Sequence, residues 1–190
     1  MFDCQWTELR QYANDRGIEL FGDMPIYIAL DSADAWANRN LVQVDRDGRP
    51  EFVAGVPPDY FSEDGQLWGN PLYDWDAHER SHYRWWVQRL AASAELADMV
   101  RIDHFRGFEA YWSVPADSET AKNGAWEPGP GDAIFDGGIG QIVDRVAARW
   151  ITDVHIEHES VKLGLWKWIR PLLLNRILRC QHKKRLRQMK

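Results

Sequence analysis

Within Arg101-Ile102-Asp103-His104-Phe105-Arg106 the chain gathers an acid, two arginines and a histidine, and Gly107 closes the run. Val100 and Ile102 alternate with Arg101 and Asp103, which is the period of a strand. Charges this dense at the end of a buried strand are costly unless they pair or serve chemistry. A guanidinium beside a carboxylate keeps it ionised, and an ionised aspartate can attack an anomeric carbon to form a covalent glycosyl intermediate. That chemistry needs a second carboxyl group about 5–5.5 Å away as general acid and base. The plain structural alternative is an Asp–Arg pair that caps a strand. Asp103 is the leading catalytic candidate, with Arg101 and His104 as its neighbours.

Other residues offer weaker chemistry. Asp23, Asp59 and Asp74 are loop carboxylates that also suit turns and caps, Asp74 above all. His78 and His82 stand four apart on an expected helix, a metal-like spacing; with no third ligand evident, they read as solvated surface histidines. His155-Ile156-Glu157-His158-Glu159 resembles a metal site by composition alone. The chain has no phosphate-binding glycine loop, Gly-x-Ser-x-Gly elbow or Cys-x-x-Cys. No metal and no cofactor are expected.

The elements that must position Asp103 follow from periodicity. Trp6, Leu9 and Ala13 fall at helical spacing, and Gly17 is placed to stop that helix. Ile18 to Ile28 reads as a buried strand running into a loop. Asp31-Ser32-Ala33-Asp34 offers caps to a helix at Ala35-Trp36-Ala37. Asp45 to Pro50 is a turn, and residues 45–75 read as one long irregular excursion, a kind of segment that tends to be functional. Tyr83, Trp86, Val87, Leu90 and Ala94 recur at three and four residues, as in an amphipathic helix. Ala110 to Ile134 reads as another loop, and Ile139, Ile142, Val143 and Val146 as a further helix. The alternation predicts an α/β fold with a parallel sheet or barrel, whose chemistry sits at C-terminal strand ends. Asp23 and Asp103 are both expected at such ends.

Composition sets outer bounds. A chain of 190 residues, 45% hydrophobic and 27% charged, fits one soluble domain with a real core. Its 11 tryptophans are core ballast or platforms for sugar rings. Cys4 and Cys180 have no metal-like spacing, which fits a reducing, cytoplasmic compartment. The first residues lack the pattern of a signal peptide, and no run of about 18 apolar residues suggests a membrane span. The net charge of −6 is uneven: residues 151–190 hold 10 of the 23 Lys+Arg but 3 of the 29 Asp+Glu. Leu163 to Leu178 is apolar, and Lys183-Lys184-Arg185 and Arg187 follow. A basic anchor for membranes or nucleic acid is one reading. Pro171 interrupts it, so a solvated or partly disordered tail is favoured.

Three blocks resemble a known family. They are GDMPIYIALDSADAWAN at 22–38, VAGVPPDYFSEDGQLWGNPLYDW at 53–75 and RIDHFRGFEAYWSVPA at 101–116. All three are similar to the 4-α-glucanotransferases of glycoside hydrolase family 77, the amylomaltases or disproportionating enzymes, over roughly residues 2–140. The resemblance implies a (β/α)₈ barrel that passes α-1,4-glucan segments between sugars by a retaining mechanism, without a cofactor. It matches Asp103 to the nucleophile, and Arg101 and His104 to neighbours that set its charge state and hold sugar hydroxyls. It matches Gly55 to Ser62 to a mobile loop, with Asp59 and Tyr60 facing substrate. Trp68, Gly69 and Asn70 match a segment lining glucan subsites, and Asp23 an acidic residue near the site.

Two family features are not found. The acid/base glutamate belongs to an Ile-Ala-Glu-Asp-Leu-Gly-type motif soon after residue 140, where this chain reads GQIVDRVAARWITDVHIEHES. Neither Glu157 nor Glu159 has that context. A later Thr-His-Asp-Asn motif, with a transition-state-stabilising aspartate, is also absent. The expectation is a partial barrel over residues 1–150 and a divergent basic tail, helical or disordered, over 151–190, the whole an internal fragment. Glucan transfer by this chain alone is then expected to be weak or absent. Alternatives are a non-catalytic carbohydrate-binding scaffold, one that self-associates through exposed barrel edges, or a different activity at Asp103 and His104. The expected partner is an α-1,4-glucan or maltooligosaccharide.

Overall fold

The computed structural model describes residues 1–136 and the backbone of 150–152. The helix expected at 139–146, the His155–Glu159 run and the basic tail lie outside the described residues.

Helix α1 (Phe2–Asn14) stops where the glycine signal places it. Gly17 has φ +74°, and the Ile18 N–H returns to the Ala13 carbonyl at 3.0 Å. Strand β1 (Phe21–Pro25) is shorter than the sequence suggests: Ile26, Tyr27 and Ile28 are buried, but in the segment that leaves it. Ser32 accepts a hydrogen bond from the Ala35 N–H at 3.1 Å and so caps α2 (Ala33–Ala37), as expected. Then come β2 (Phe52–Val56), β3 (Gln66–Pro71), α3 (Trp75–Arg80), α4 (Arg84–Leu96), β4 (Met99–Asp103), β5 (Ala110–Pro115), β6 (Ala125–Pro128) and β7 (Trp150–Thr152).

One sheet is parallel, with β4 between β1 and β7. Its register sets Phe21 opposite Met99, Asp23 opposite Arg101 and Pro25 opposite Asp103. Side chains alternate across a strand. Met24, Val100 and Ile102 are therefore buried on one face, where α4 packs against β1 and β4, while Phe21, Asp23, Pro25 and Asp103 are exposed on the other.

The second sheet was not expected. Strands β3, β2, β5 and β6 form an antiparallel sheet in that order, where the sequence reads as loops over 45–75 and 110–134. The glycines that suggest loops serve close backbone approach instead. A Cβ on Gly55 would lie 2.6 Å from the Gln66 carbonyl oxygen, and one on Gly124 2.3 Å from Trp112 Nε1. The expected turn at Asp45 is present: its carboxylate accepts from the N–H groups of Asp47 and Arg49, both at 2.8 Å.

The core is strongly aromatic. Trp86, Tyr73 and Phe108 are its largest fully buried side chains, and Tyr73 meets Trp75, Trp85, Trp86 and His78 at ring-centroid distances of 5.1–5.7 Å. Surface placement of His78 is therefore corrected. It is fully buried on α3, its Nε2 lies 3.2 Å from the Leu41 carbonyl, and burial pulls its pKa down to about 4. His82 is exposed and falls beyond the end of α3, so the two do not share a helix. Asp74 caps α3, accepting from the Ala77 N–H at 2.9 Å, as its turn-forming reading predicts.

Asp98 ties the N-terminal helix to the parallel sheet. Its buried carboxylate accepts from Arg10 Nη2, Asn14 Nδ2 and the Leu20 N–H, each at 2.8 Å. Burial pushes its pKa up, but those hydrogen bonds prevail and hold it at about 2. The entry to the Asp103 strand is thereby fixed.

Candidate active site

Asp103 ends β4 and is exposed, as the strand reading predicts. Two residues back on the same face, Arg101 donates to Asp23, Nε to Oδ1 at 3.0 Å and Nη2 to Oδ2 at 2.5 Å. Arg101 is thus paired with the carboxylate of Asp23 on the neighbouring strand. Hydrogen bonding and charge from Arg101 lower the Asp23 pKa. Asp23 itself is corrected from a strand end to the middle of β1, directly opposite Arg101. Strand alternation brings Asp23, Arg101 and Asp103 onto one face.

His104 follows the strand end at φ 52°, a left-handed conformation that few non-glycine residues adopt. It turns the chain away from the sheet. The ring is partly buried, its Nε2 meets no hydrogen-bond partner among the described residues, and burial lowers its pKa. The Trp68 indole meets this imidazole nearly edge-on, centroids 4.9 Å apart and planes at 84°. Trp68 is also 6.2 Å from the Tyr27 ring. Gly107 leaves room for this arrangement: a Cβ there would lie 2.8 Å from Ile26 Cδ1 and 3.3 Å from His104 Cδ2.

Trp68, Gly69 and Asn70 sit on β3, not in a loop. Gly69 takes φ +75°, and Asn70 Nδ2 donates to the Ile28 carbonyl at 3.0 Å. Asn70 therefore fastens β3 to the segment leaving β1. Asp59 and Tyr60 occupy an exposed turn after β2, where the Asp59 carboxylate accepts from the N–H groups of Phe61 and Ser62 at 2.8 and 2.7 Å. Tyr60 and Phe61 are almost wholly exposed. The structure joins Asp23 to Arg101 and Trp68 to His104, and it gives Asp59 a turn-forming role.

Sequence reasoning missed two residues behind the site. Arg89 donates to the carbonyls of Pro25 at 2.7 Å and Ile26 at 3.0 Å, and the Tyr73 hydroxyl donates to Ile26 at 2.7 Å. Together they hold the chain where it leaves β1. An arginine between Trp86 and Leu90 on an otherwise apolar helix face was the available signal. Among the described residues no group of three His, Cys, Asp or Glu side chains could hold a metal ion. No described helix is long and apolar enough to cross a membrane.

Parallel strands with acidic and aromatic residues gathered where one of them ends define an α/β protein with a candidate site at that end. The chain belongs to the 4-alpha-glucanotransferase family, glycoside hydrolase family 77, whose sequence model matches residues 1–145. It is 53% identical over 135 residues to the 4-alpha-glucanotransferase of Aquifex aeolicus, covering 71% of this chain and 28% of that relative. It is 56% identical over 134 residues to that of Streptococcus pneumoniae, covering 70% and 26%. The chloroplastic/amyloplastic enzyme of Arabidopsis thaliana is 49% identical over 145 residues, or 75% and 25% of the two chains. The chain thus spans about a quarter of the length of the curated relatives it matches. Among solved structures, the amylomaltase from Streptococcus agalactiae in complex with acarbose matches with a TM-score of 0.75 at 40% identity, over 90% of this chain and 33% of that one. The amylomaltase of Corynebacterium glutamicum shares the fold, with a TM-score of 0.70 at 19% identity, over 92% and 23%.

Proposed function

We propose that this chain carries the nucleophile half of an α-1,4-glucan transfer site, set in part of a (β/α)₈ barrel. The observation that carries this reading is an exposed carboxylate, Asp103, at the end of a parallel strand, on the same face as the Asp23–Arg101 pair. An Asp103 oxygen attacks the anomeric carbon, a glycosyl ester forms, and the bond to the leaving sugar breaks. The 4-hydroxyl of an acceptor then attacks the same carbon and releases Asp103. Arg101 and Asp23 line the donor sugar's floor with fixed charge, and the Trp68 indole and His104 imidazole form a wall beside it. Asp59, Tyr60, Gly69 and Asn70 are assigned to the surrounding glucan path. The leaving oxygen needs a proton, and no glutamate in residues 141–190 has the family's acid/base context. The isolated chain therefore binds maltooligosaccharides and transfers glucan weakly or not at all. A cytoplasmic location and a division into residues 1–150 and 151–190 belong to the same reading.

The test is maltotriose disproportionation by the purified chain, alongside binding of maltoheptaose. Binding without turnover is the expected result. Release of glucose and longer maltodextrins at an ordinary enzymatic rate, lost in Asp103→Asn, would overturn the claim of inactivity. Turnover unaffected by Asp103→Asn would remove Asp103 from the role of nucleophile.

A further inference from the structure

We infer that Arg89, together with the Tyr73 hydroxyl, is a positioning residue for the candidate site: from the buried side of the parallel sheet it sets the separation between the strand that ends in Asp103 and the aromatic wall on β3. Its link to glucan rests on the proposed function; its link to the placement of Trp68 and His104 does not.

The two sides of the site belong to different sheets. Asp103 ends β4 in the parallel sheet, and Trp68 stands on β3 in the antiparallel one. The segment Ile26-Tyr27-Ile28 spans them. It starts from Pro25, directly opposite Asp103, and ends where Asn70 of β3 donates to the Ile28 carbonyl. On the way the Tyr27 ring lies 6.2 Å from Trp68, and Ile26 Cδ1 takes the space that a Cβ on Gly107 would need, beside His104. A shift of this segment therefore moves the wall relative to the carboxylate. Arg89 and Tyr73 hold its start. Arg89 Nη2 donates to the Pro25 carbonyl at 2.7 Å and Nη1 to the Ile26 carbonyl at 3.0 Å. The buried Tyr73 hydroxyl donates to the same Ile26 oxygen at 2.7 Å, and its ring stacks on Tyr27 with centroids 5.8 Å apart. The guanidinium carbon lies 5.2 Å from the Trp85 ring and from the Trp86 ring, which fixes the direction of the fork. A fork reaches two carbonyls at once, which a point charge does less well. These bonds are charge-assisted, and a buried carbonyl left without a donor is costly. Loss of the guanidinium therefore releases the segment. Arg89 comes from α4, on the face opposite Asp23 and Asp103, so it acts through Ile26 to Ile28 and not on sugar.

The test uses the whole chain with Arg89→Met, which keeps an aliphatic stem beside Trp85 and Trp86 and removes the donors. Tyr73→Phe, which removes only the hydroxyl, is the second variant. Leu90→Val is the control: it loosens α4 at a fully buried position that makes none of these hydrogen bonds. One readout is the His104 imidazole proton resonances at fixed pH, which the adjacent Trp68 ring displaces, with Trp68→Ala as the scale. The other is maltoheptaose affinity by calorimetry, on samples whose circular dichroism matches the parent. Arg89→Met should move the His104 resonances in the direction of Trp68→Ala and weaken maltoheptaose binding ~10-fold, the worth of one charge-assisted hydrogen bond. Tyr73→Phe should do the same to a smaller extent, and Leu90→Val should leave both readouts at parental values. His104 resonances that stay in place in Arg89→Met and Tyr73→Phe would overturn the inference. So would moved resonances with parental affinity, or equal changes in Leu90→Val, since any loosening of the core would then suffice. If Arg89→Met does not fold, Tyr73→Phe decides by the same criteria. A parent chain that binds no maltoheptaose removes the glucan reading and leaves the His104 resonances to decide the positioning link.

Discussion

Asp23 and Arg101 face each other across the β1–β4 ladder, and the guanidinium reaches both oxygens of the carboxylate. A planar fork makes this contact; a lysine has a single point charge to offer. Arg101→Leu should therefore return the lowered Asp23 pKa towards its ordinary value near 3.8, read by carboxyl NMR titration. The stabilisation from this pair is present above the ordinary carboxylate range and lost as pH falls through the depressed value. Both side chains are partly exposed, so the stability change stays within about 1 kcal/mol. An unchanged Asp23 titration would show that Arg101 does not set it.

Asp98 should behave differently, because its carboxylate is buried and all its protein partners named above are donors. Asp98→Asn places an amide N–H₂ among those donors. Denaturant unfolding should show a loss of roughly 2–4 kcal/mol, the range for breaking a buried, hydrogen-bonded charge. In the parent chain this contribution is present above the unfolded carboxylate value near 3.8 and disappears as pH falls towards about 2. Equal stability of Asp98→Asn and parent at pH 7 would contradict this account.

The parallel half of the fold was legible because periodicity and burial agree there. Val100 and Ile102 alternate with Arg101 and Asp103, and the helix from Tyr83 to Ala94 has a plain apolar stripe. The antiparallel half was not legible, because its strands are short and two of its glycines hide their purpose. Gly55 and Gly124 lie in segments that read as loops, yet a carbonyl and an indole lie where a Cβ would stand at each. β6 is exposed along its length and so shows no alternation. At the candidate site, residue types alone single out Asp103, Arg101 and His104 as candidates. The partner of Arg101 depended on strand register, which pairs residues 78 apart in sequence. The spacing of His78 to His82 suggests one helical surface, whereas Tyr73, Trp75 and Trp85 enclose the His78 ring in the core.

His78 makes the core acid-sensitive above the range in which carboxylates titrate. Burial pulls its pKa down to about 4 from 6.5, so the folded chain binds fewer protons than the unfolded one between those values. Stability should be full above pH 6.5 and fall as pH drops towards 4, by about 3 kcal/mol at 1.36 kcal/mol per unit. Below that value this contribution stops changing. His78→Gln should flatten the melting temperature between pH 6.5 and 4.5 while lowering it at neutral pH. The same pH slope in His78→Gln as in the parent would assign the effect to other groups.

Trp68 links the candidate site's wall to its one imidazole, and its indole is 37% exposed. Removing it should do two separable things. First, Trp68→Ala uncovers His104, whose pKa is lowered chiefly by burial, so the His104 titration should move up towards the ordinary histidine value. Second, an aromatic face that stacks on sugar is worth about 1.4 kcal/mol, which is a tenfold loss of maltoheptaose affinity by calorimetry. Trp68→Phe keeps an aromatic ring and should retain most of the binding. If His104 shifts but affinity does not, Trp68 only shields the imidazole and the glucan path lies elsewhere. If neither changes, the edge-on contact is dispensable, and Trp68 plays no part in the site.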